Sequence, residues 1–205
     1  MTARTLAVVS AGLSEPSSTR LLADQLGASA SRSLTARGID PIVETIDLRD
    51  HAHPLTNNLL TGFPDADLRA AIDSMVGADG LIAVTPIFNA SYSGLFKTFF
   101  DVLEAESLSG KPVLIGATGG TPRHSLALEH AMRPMFAYLQ AIVVPTSVFA
   151  ASQDWGSGRS ADSALGERID RAGDELAALV GDRPSRGPVD PFADATTFED
   201  LLAGS

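Results

Sequence analysis

Three short stretches of this 205-residue chain gather the residue types that hold a ligand. Residues 10–20 read SAGLSEPSSTR: Ser10 at a strand exit, one glycine, then Ser17, Ser18 and Thr19 where a helical pattern begins. Free backbone N–H groups, the positive end of a helix and several short hydroxyls converge there on a volume suited to a phosphate. Neither GxGxxG nor GxxxxGK[ST] is present, which disfavours dinucleotide folds and nucleotide triphosphatases and leaves a terminal monophosphate, for which a hydroxyl-rich turn suffices. On this loop alone, Ser17 or Ser18 acting as an ordinary helix cap explains the serines equally well. Glu15 opposes an anion unless it faces solvent, and Arg20 is either a counter-charge or a surface residue.

Residues 85–97 read TPIFNASYSGLFK. Pro86 ends a strand, so the backbone after it can turn its N–H groups toward a planar heterocycle, with Ile87 and Phe88 offering apolar contact. Asn89 and Ser91 can bond ring carbonyls or fix the turn. Residues 117–125 read ATGGTPRHS. After Thr118, the adjacent Gly119 and Gly120 allow positive φ and let the backbone approach a ligand edge. Arg123 and His124 suit the phosphate or ribose of an incoming nucleotide, and equally a surface basic pair. His51 and His53 have no partners at ligand spacing, so no metal site is expected.

In order and spacing, the three loops resemble those of the NAD(P)H-dependent FMN reductases, in which Pro-x-[Tyr/Phe]-Asn-x-Ser precedes a Gly-Leu-x-Lys helix start. With TGGTPRHSLALEHAMRP at residues 118–134, the chain is similar to the FMN reductases that partner luciferase-like monooxygenases; the likeness spans about residues 4–155. It implies an oxidoreductase that passes hydride from NADPH or NADH to FMN, and a monooxygenase that takes the reduced flavin. The candidate cofactor contacts are Ser10, Ser17, Ser18 and Thr19 in the first loop and Thr118, Gly119, Gly120 and Arg123 in the third, by their chemistry, with Pro86, Ile87, Phe88, Asn89 and Ser91 in the second, which match the family's flavin-contacting stretch. Backbone donors at the flavin's pyrimidine edge would stabilise the charge of the reduced ring, so no catalytic side chain is required. A quinone, azo-dye or metal-ion reductase would use the same site. A flavodoxin-type electron carrier is disfavoured by the absence of a Thr-rich phosphate loop, the single aromatic Phe88 in the flavin loops, and the length.

These loops need a scaffold that brings them together. Apolar runs at residues 5–10, 41–48, 80–85, 112–118 and 141–148 read as buried strands. They alternate with helical patterns at 18–37, 65–76, 94–104, 125–139 and 166–180, while 49–64 reads as a long loop. Such alternation predicts an α/β flavodoxin-like three-layer sandwich with a five-stranded parallel sheet of order 2-1-3-4-5, ligands sitting beyond the carboxyl ends of the strands. Residues 1–182 form the expected domain, and 183–205 a Pro-rich acidic tail. The helix at 94–104, with Leu95, Phe96, Phe99, Phe100 and Leu103, has more apolar surface than one stripe buries, which predicts a homodimer or homotetramer. Trp155 either covers the edge of the core or reaches a neighbouring subunit's flavin.

Bulk composition narrows the partners. A formal charge of −10 and a pI near 4.7 repel nucleic acid and anionic membrane surfaces, leaving small-molecule substrates. With no cysteine there is no disulfide, thiolate metal site or redox-active thiol, so redox chemistry must be borrowed from a cofactor. The N-terminal apolar run is too short for a secretory signal and no stretch suits a membrane span, so the expected location is cytoplasmic.

Overall fold

A computed structural model describes residues 2–155 and 164–183. β1 (Ala3–Ser10), β2 (Asp40–Asp47), β3 (Gly80–Phe88) and β5 (Pro112–Gly119) lie parallel in the order β2-β1-β3-β5. The next position is shared by β6 (Ile142–Val143) and β7 (Val148–Ala151), both parallel to β5, which completes the 2-1-3-4-5 arrangement with a split fifth strand. The split has a local cause. Val113 pairs with Val143 and Gly116 with Val148, so the edge strand takes five steps where β5 takes three, and Pro145 in that bulge offers no N–H to the ladder.

Side chains alternate between two cores. Leu6 and Val8 of β1 face α1 (Ser18–Ala36) and α6 (Ala164–Gly181), whereas Ala7 and Val9 face the opposite layer. That layer holds α2 (Ala52–Thr61), α3 (Ala66–Gly77), α4 (Gly94–Asp101) and α5 (Arg133–Tyr138). Among the described residues no helix is long and apolar enough to cross a membrane.

Several expectations need correction. The stretch 49–64 is not a loop, because α2 occupies most of it. Pro54 falls in the first turn, where backbone N–H groups have no helical partner, Leu55 and Asn58 face inward, and Gly62 at φ 80° closes the helix. β3 does not stop at Pro86. Its pairing with β1 ends at Val84, so the donor that Pro86 lacks costs no bond to that strand, and β3 continues to Phe88. It then turns back as a two-residue hairpin into β4 (Ser91–Tyr92), with Asn89 at φ 49° and Ala90 at φ 69°, the positive pair that a tight hairpin requires.

The single helix expected over 125–139 is broken. A 3₁₀ turn at Pro122–His124 leads to a π-helical turn at Leu128–Met132, in which the Arg133 N–H reaches back to Leu128 O, and α5 follows. Pro134, which lacks an N–H, sits at the change of pitch.

The broad apolar surface of α4 is taken up within the chain rather than left for a neighbouring subunit. Phe96, Phe99 and Phe100 are buried within the chain, Phe100 meeting Phe136 of α5 at a centroid distance of 5.0 Å, and Leu95 and Leu103 pack against the same core.

At the end of the sheet remote from the strands' carboxyl termini, Arg4 pairs with Asp79 at 3.1 Å, and its guanidinium also donates to the carbonyl of Arg183. Arg183 in turn donates to Gly110 O, so its attachment is remote from the strand ends where ligands are expected. The remainder of the expected tail, 184–205, lies outside the described residues.

Candidate functional site

A cleft of about 360 Å³ opens at the carboxyl ends of the strands. Its walls are Leu13, Ser14, Ser18 and Thr19 from the β1–α1 loop and helix start; Pro86, Ile87 and Phe88 from the end of β3; Thr118, Gly119 and Gly120 from β5 and its exit; and Ser152 and Trp155 from the turn after β7. Strand order explains the convergence: β1, β3 and β5 are neighbours, so the loops leaving them share one rim.

The first loop is shaped from within. Ser17 caps α1, its Oγ accepting from the Arg20 N–H at 3.2 Å. A Cβ at Gly12 would lie 2.0 Å from that Oγ, so the strand can exit this close to the cap only through glycine. Ser18 is exposed on the cleft wall. The hydroxyls of Thr19 and Thr118, both buried, bond at 2.8 Å and join the first loop to the third. One proton bridges that pair, leaving the other hydroxyl a proton to donate. Ser10 is fully buried, and its Oγ has no hydrogen-bond partner, which is unusual for an enclosed hydroxyl.

Of the charged residues near this loop, none is aimed into the cleft. Glu15 is 81% exposed and pairs with Arg49 at 2.6 Å, so it does not oppose an anion at the helix start. The Arg20 guanidinium is held by Asp24 at 2.8 Å and by Asp47; the Asp24 hydrogen bond, reinforced by Asp47, raises its pKa above the ordinary value. It is therefore already paired with two carboxylates.

Within the second loop Pro86, Ile87 and Phe88 line the cleft, Phe88 with 47% of its surface open, whereas Asn89 and Ser91 belong to the hairpin and do not line it. In the third loop neither Gly119 nor Gly120 uses the positive φ that glycine allows. A Cβ at Gly119 would meet the Phe149 ring at 2.9 Å, so this glycine is a packing requirement; at Gly120 a Cβ would meet nothing within 4 Å. Arg123 is exposed on the 3₁₀ turn and outside the cleft wall. Gly12, Leu13, Ser14 and Ser152 were not anticipated. Ser152 is brought in by the pairing of Ala151 with Gly119, a register that residue types do not reveal.

No ionisable side chain is among the residues lining the cleft, and no group of three or more His, Asp or Glu that could hold a metal occurs among the described residues. The cleft offers hydroxyl and backbone donors beside the α1 N-terminus at one end and an apolar rim at the other. That donor set fits the phosphate and flat ring of FMN, and the buried Ser10 Oγ at the carboxyl end of β1 is a hydroxyl with no acceptor in the protein.

Comparison with known proteins agrees. The family model for NADPH-dependent FMN reductases matches residues 4–156. An FMN reductase (NADPH) of Pseudomonas aeruginosa is 39% identical over 175 residues, spanning 85% of this chain and 91% of the relative. The NADH-dependent FMN reductase SfnF of Pseudomonas fluorescens is 35% identical over 173 residues, 84% and 90% of the two chains. The crystal structure of an oxidoreductase from Corynebacterium diphtheriae is 42% identical and superposes with a TM-score of 0.84, covering 90% of this chain and all of that one. With its cleft, its flavodoxin-like sheet and these relatives taken together, the chain belongs to the NADPH-dependent FMN reductase family, oxidoreductases that use FMN with NAD(P)H as co-substrate.

Proposed function

We propose that the cleft at the carboxyl ends of β1, β3, β5 and β7 is where FMN is reduced, and that the reduced flavin then leaves for a partner monooxygenase. Bound FMN supplies the chemistry by accepting hydride from the nicotinamide. The chain's own residues bind and orient. Ser18, Thr19 and the α1 N-terminus hold the phosphate, with Ser10 of β1 as a further donor. Pro86, Ile87 and Phe88 carry the ring, while the backbone at Thr118, Gly119 and Gly120 approaches its pyrimidine edge. Asn89 and Ser91 act by fixing the hairpin that presents Phe88. The observation that carries this reading is the meeting of three separate loops on one cleft whose wall has hydroxyl donors and no ionisable side chain.

The proposal extends to the setting. Hydride supply from NAD(P)H places the enzyme in the cytoplasm, and residues 1–182 suffice for flavin binding. Assembly into a homodimer or homotetramer now rests on the exposed Leu60 and Phe63 at the end of α2, 82% and 78% open, rather than on α4.

The test is oxidation of NADPH and of NADH by purified protein with and without FMN, in air and under argon. FMN-dependent consumption of either nicotinamide supports the reading. Consumption that needs a separate reductase would make the protein a carrier, and a quinone or azo dye reduced in strong preference to free flavin would redirect the electrons.

A further inference from the structure

Thr19 and Thr118 both line the cleft yet are 3% and 4% exposed, and their hydroxyls bond each other at 2.8 Å. Each residue is fixed by its own element. Thr118 pairs with Pro86 of β3 and with Ala150 of β7, and Thr19 follows the Ser17 cap by two residues, in the first turn of α1. Among the described residues neither hydroxyl has a further hydrogen-bond partner. Two hydroxyls carry two protons, and the bond between them uses one. The other needs an acceptor, because an enclosed donor left without one is destabilising, and the cleft is where an acceptor can reach it. Which hydroxyl offers that proton depends on the direction of the bond. If Thr118 donates to Thr19, the outward proton is that of Thr19, at the helix start; if Thr19 donates, it is that of Thr118, at the end of β5.

We propose that Thr118 is a positioning residue: its hydroxyl donates to Thr19 Oγ1 and so commits the Thr19 proton to the phosphate of the flavin. This rests on the reading of the cleft as the FMN site with the phosphate at the α1 N-terminus. Two hollows adjoin that helix start, and Ser14 borders both. Ser18 and Thr19 line the cleft, whereas Ser17 lines the second hollow, whose wall sets Glu15, Asp24, Asp47 and Asp50 against Arg20 and Arg49. That surplus of carboxylates repels a dianion, which places the phosphate on the side of Thr19. Of the two acceptors a flavin offers the pair, phosphate is also the stronger. A charged acceptor takes a hydrogen bond roughly twice as strong as a neutral one, whereas the carbonyls of the oxidised ring are neutral. Donation from Thr118 polarises the Thr19 hydroxyl and strengthens its bond to the anion.

Apo-protein is titrated with FMN and with riboflavin, which has the same ring and no phosphate, following flavin fluorescence. Thr118→Val removes the hydroxyl and keeps a β-branched side chain suited to a strand. FMN should then bind roughly fivefold to tenfold more weakly, riboflavin with unchanged affinity, and Thr118→Ser should restore the affinity for FMN. In a Thr19→Val background, Thr118→Val should weaken FMN no further, because Thr118 acts through Thr19. Thr118→Ala replaces the valine variant if circular dichroism shows the latter unfolded. Equal weakening of FMN and riboflavin overturns the proposal, since contact with the ring or a loss of packing would produce it. An unchanged FMN affinity overturns it as well, as does an additive loss in the double variant. Wild-type protein that holds FMN no more tightly than riboflavin overturns instead the placing of a phosphate at this helix start.

Discussion

Gly120 is the position where a side chain alters the cleft without disturbing the backbone. Its φ is not positive and a Cβ there meets nothing within 4 Å, so Gly120→Val should fold with a melting temperature close to that of the parent. The added branches project where the flavin edge must lie, a steric cost of about 1–3 kcal/mol. FMN affinity should fall roughly ten- to a hundredfold, and FMN-dependent NAD(P)H oxidation should fall further, since misplacing the ring also costs alignment in the hydride step. A folded variant with full turnover would put the flavin edge elsewhere. Ser10 tests the other end. Its buried hydroxyl bonds to nothing in the protein, so Ser10→Ala should leave apo-protein stability unchanged or raised, while FMN binding weakens by about 1–3 kcal/mol for the lost hydrogen bond to a charged group. Paired melting curves and FMN titrations read the two effects separately; unchanged FMN affinity would make Ser10 a core residue only. Residue types revealed the serine cluster, Pro86 to Phe88 and the glycine pair. They could not tell Ser17 as cap from Ser18 as wall, because both are hydroxyls at one helix start and only the Arg20 N–H to Ser17 Oγ bond separates them.

At the scale of elements, the broken helix before β6 depends on a polar clasp. Arg133 holds the Glu129 carboxylate at 2.6 and 3.0 Å and donates to Val144 O and Pro145 O, while Ser147 donates to Glu129. The clasp thus ties the π-helical turn to the bulge that splits the fifth strand. Hydrogen bonding from Arg133, then from Ser147, lowers the Glu129 pKa below that of an ordinary carboxylate. A depressed folded-state pKa contributes stability above the unfolded pKa and loses it as pH falls through the folded value. Glu129→Gln should therefore be less stable than the parent at neutral pH, by about 0.2–1 kcal/mol for so exposed a pair. The difference should vanish below the ordinary carboxylate range, as chemical denaturation at a series of pH values will show; a gap that persists in acid would mean the carboxylate is not its source. Apolar periodicity located every long strand and helix except α2, whose ALA-poor sequence AHPLTNNLLT reads as a loop until Pro54 is seen to occupy the first turn. It also missed the π turn and the split strand. Both follow from prolines whose consequence depends on the backbone opposite: Pro134 at a change of helical pitch, Pro145 in a bulge set by register with β5.

The whole molecule carries a formal charge of −10, whereas both its flavin and its nicotinamide substrate are anions. Because the cleft wall has no ionisable side chain, attraction there is confined to backbone and hydroxyl dipoles, and the longer-range field that an approaching substrate meets is repulsive. Screening length shrinks from about 30 Å at 0.01 M salt to about 10 Å at 0.1 M. Raising the salt over that range should therefore increase kcat/KM for the nicotinamide, with FMN saturating, and leave kcat nearly unchanged. NADPH, with its additional 2′-phosphate, should respond more steeply than NADH. The exposed Arg123 and His124 beyond Gly120 would act in the opposite sense if they guide the nicotinamide's phosphates, because salt weakens attraction as it weakens repulsion. Initial rates in a sodium chloride series distinguish the two by the sign of the slope. A fall in kcat/KM with salt, abolished by Arg123→Ala, would assign the pair a steering role; a rise that survives this substitution leaves net charge in control of encounter.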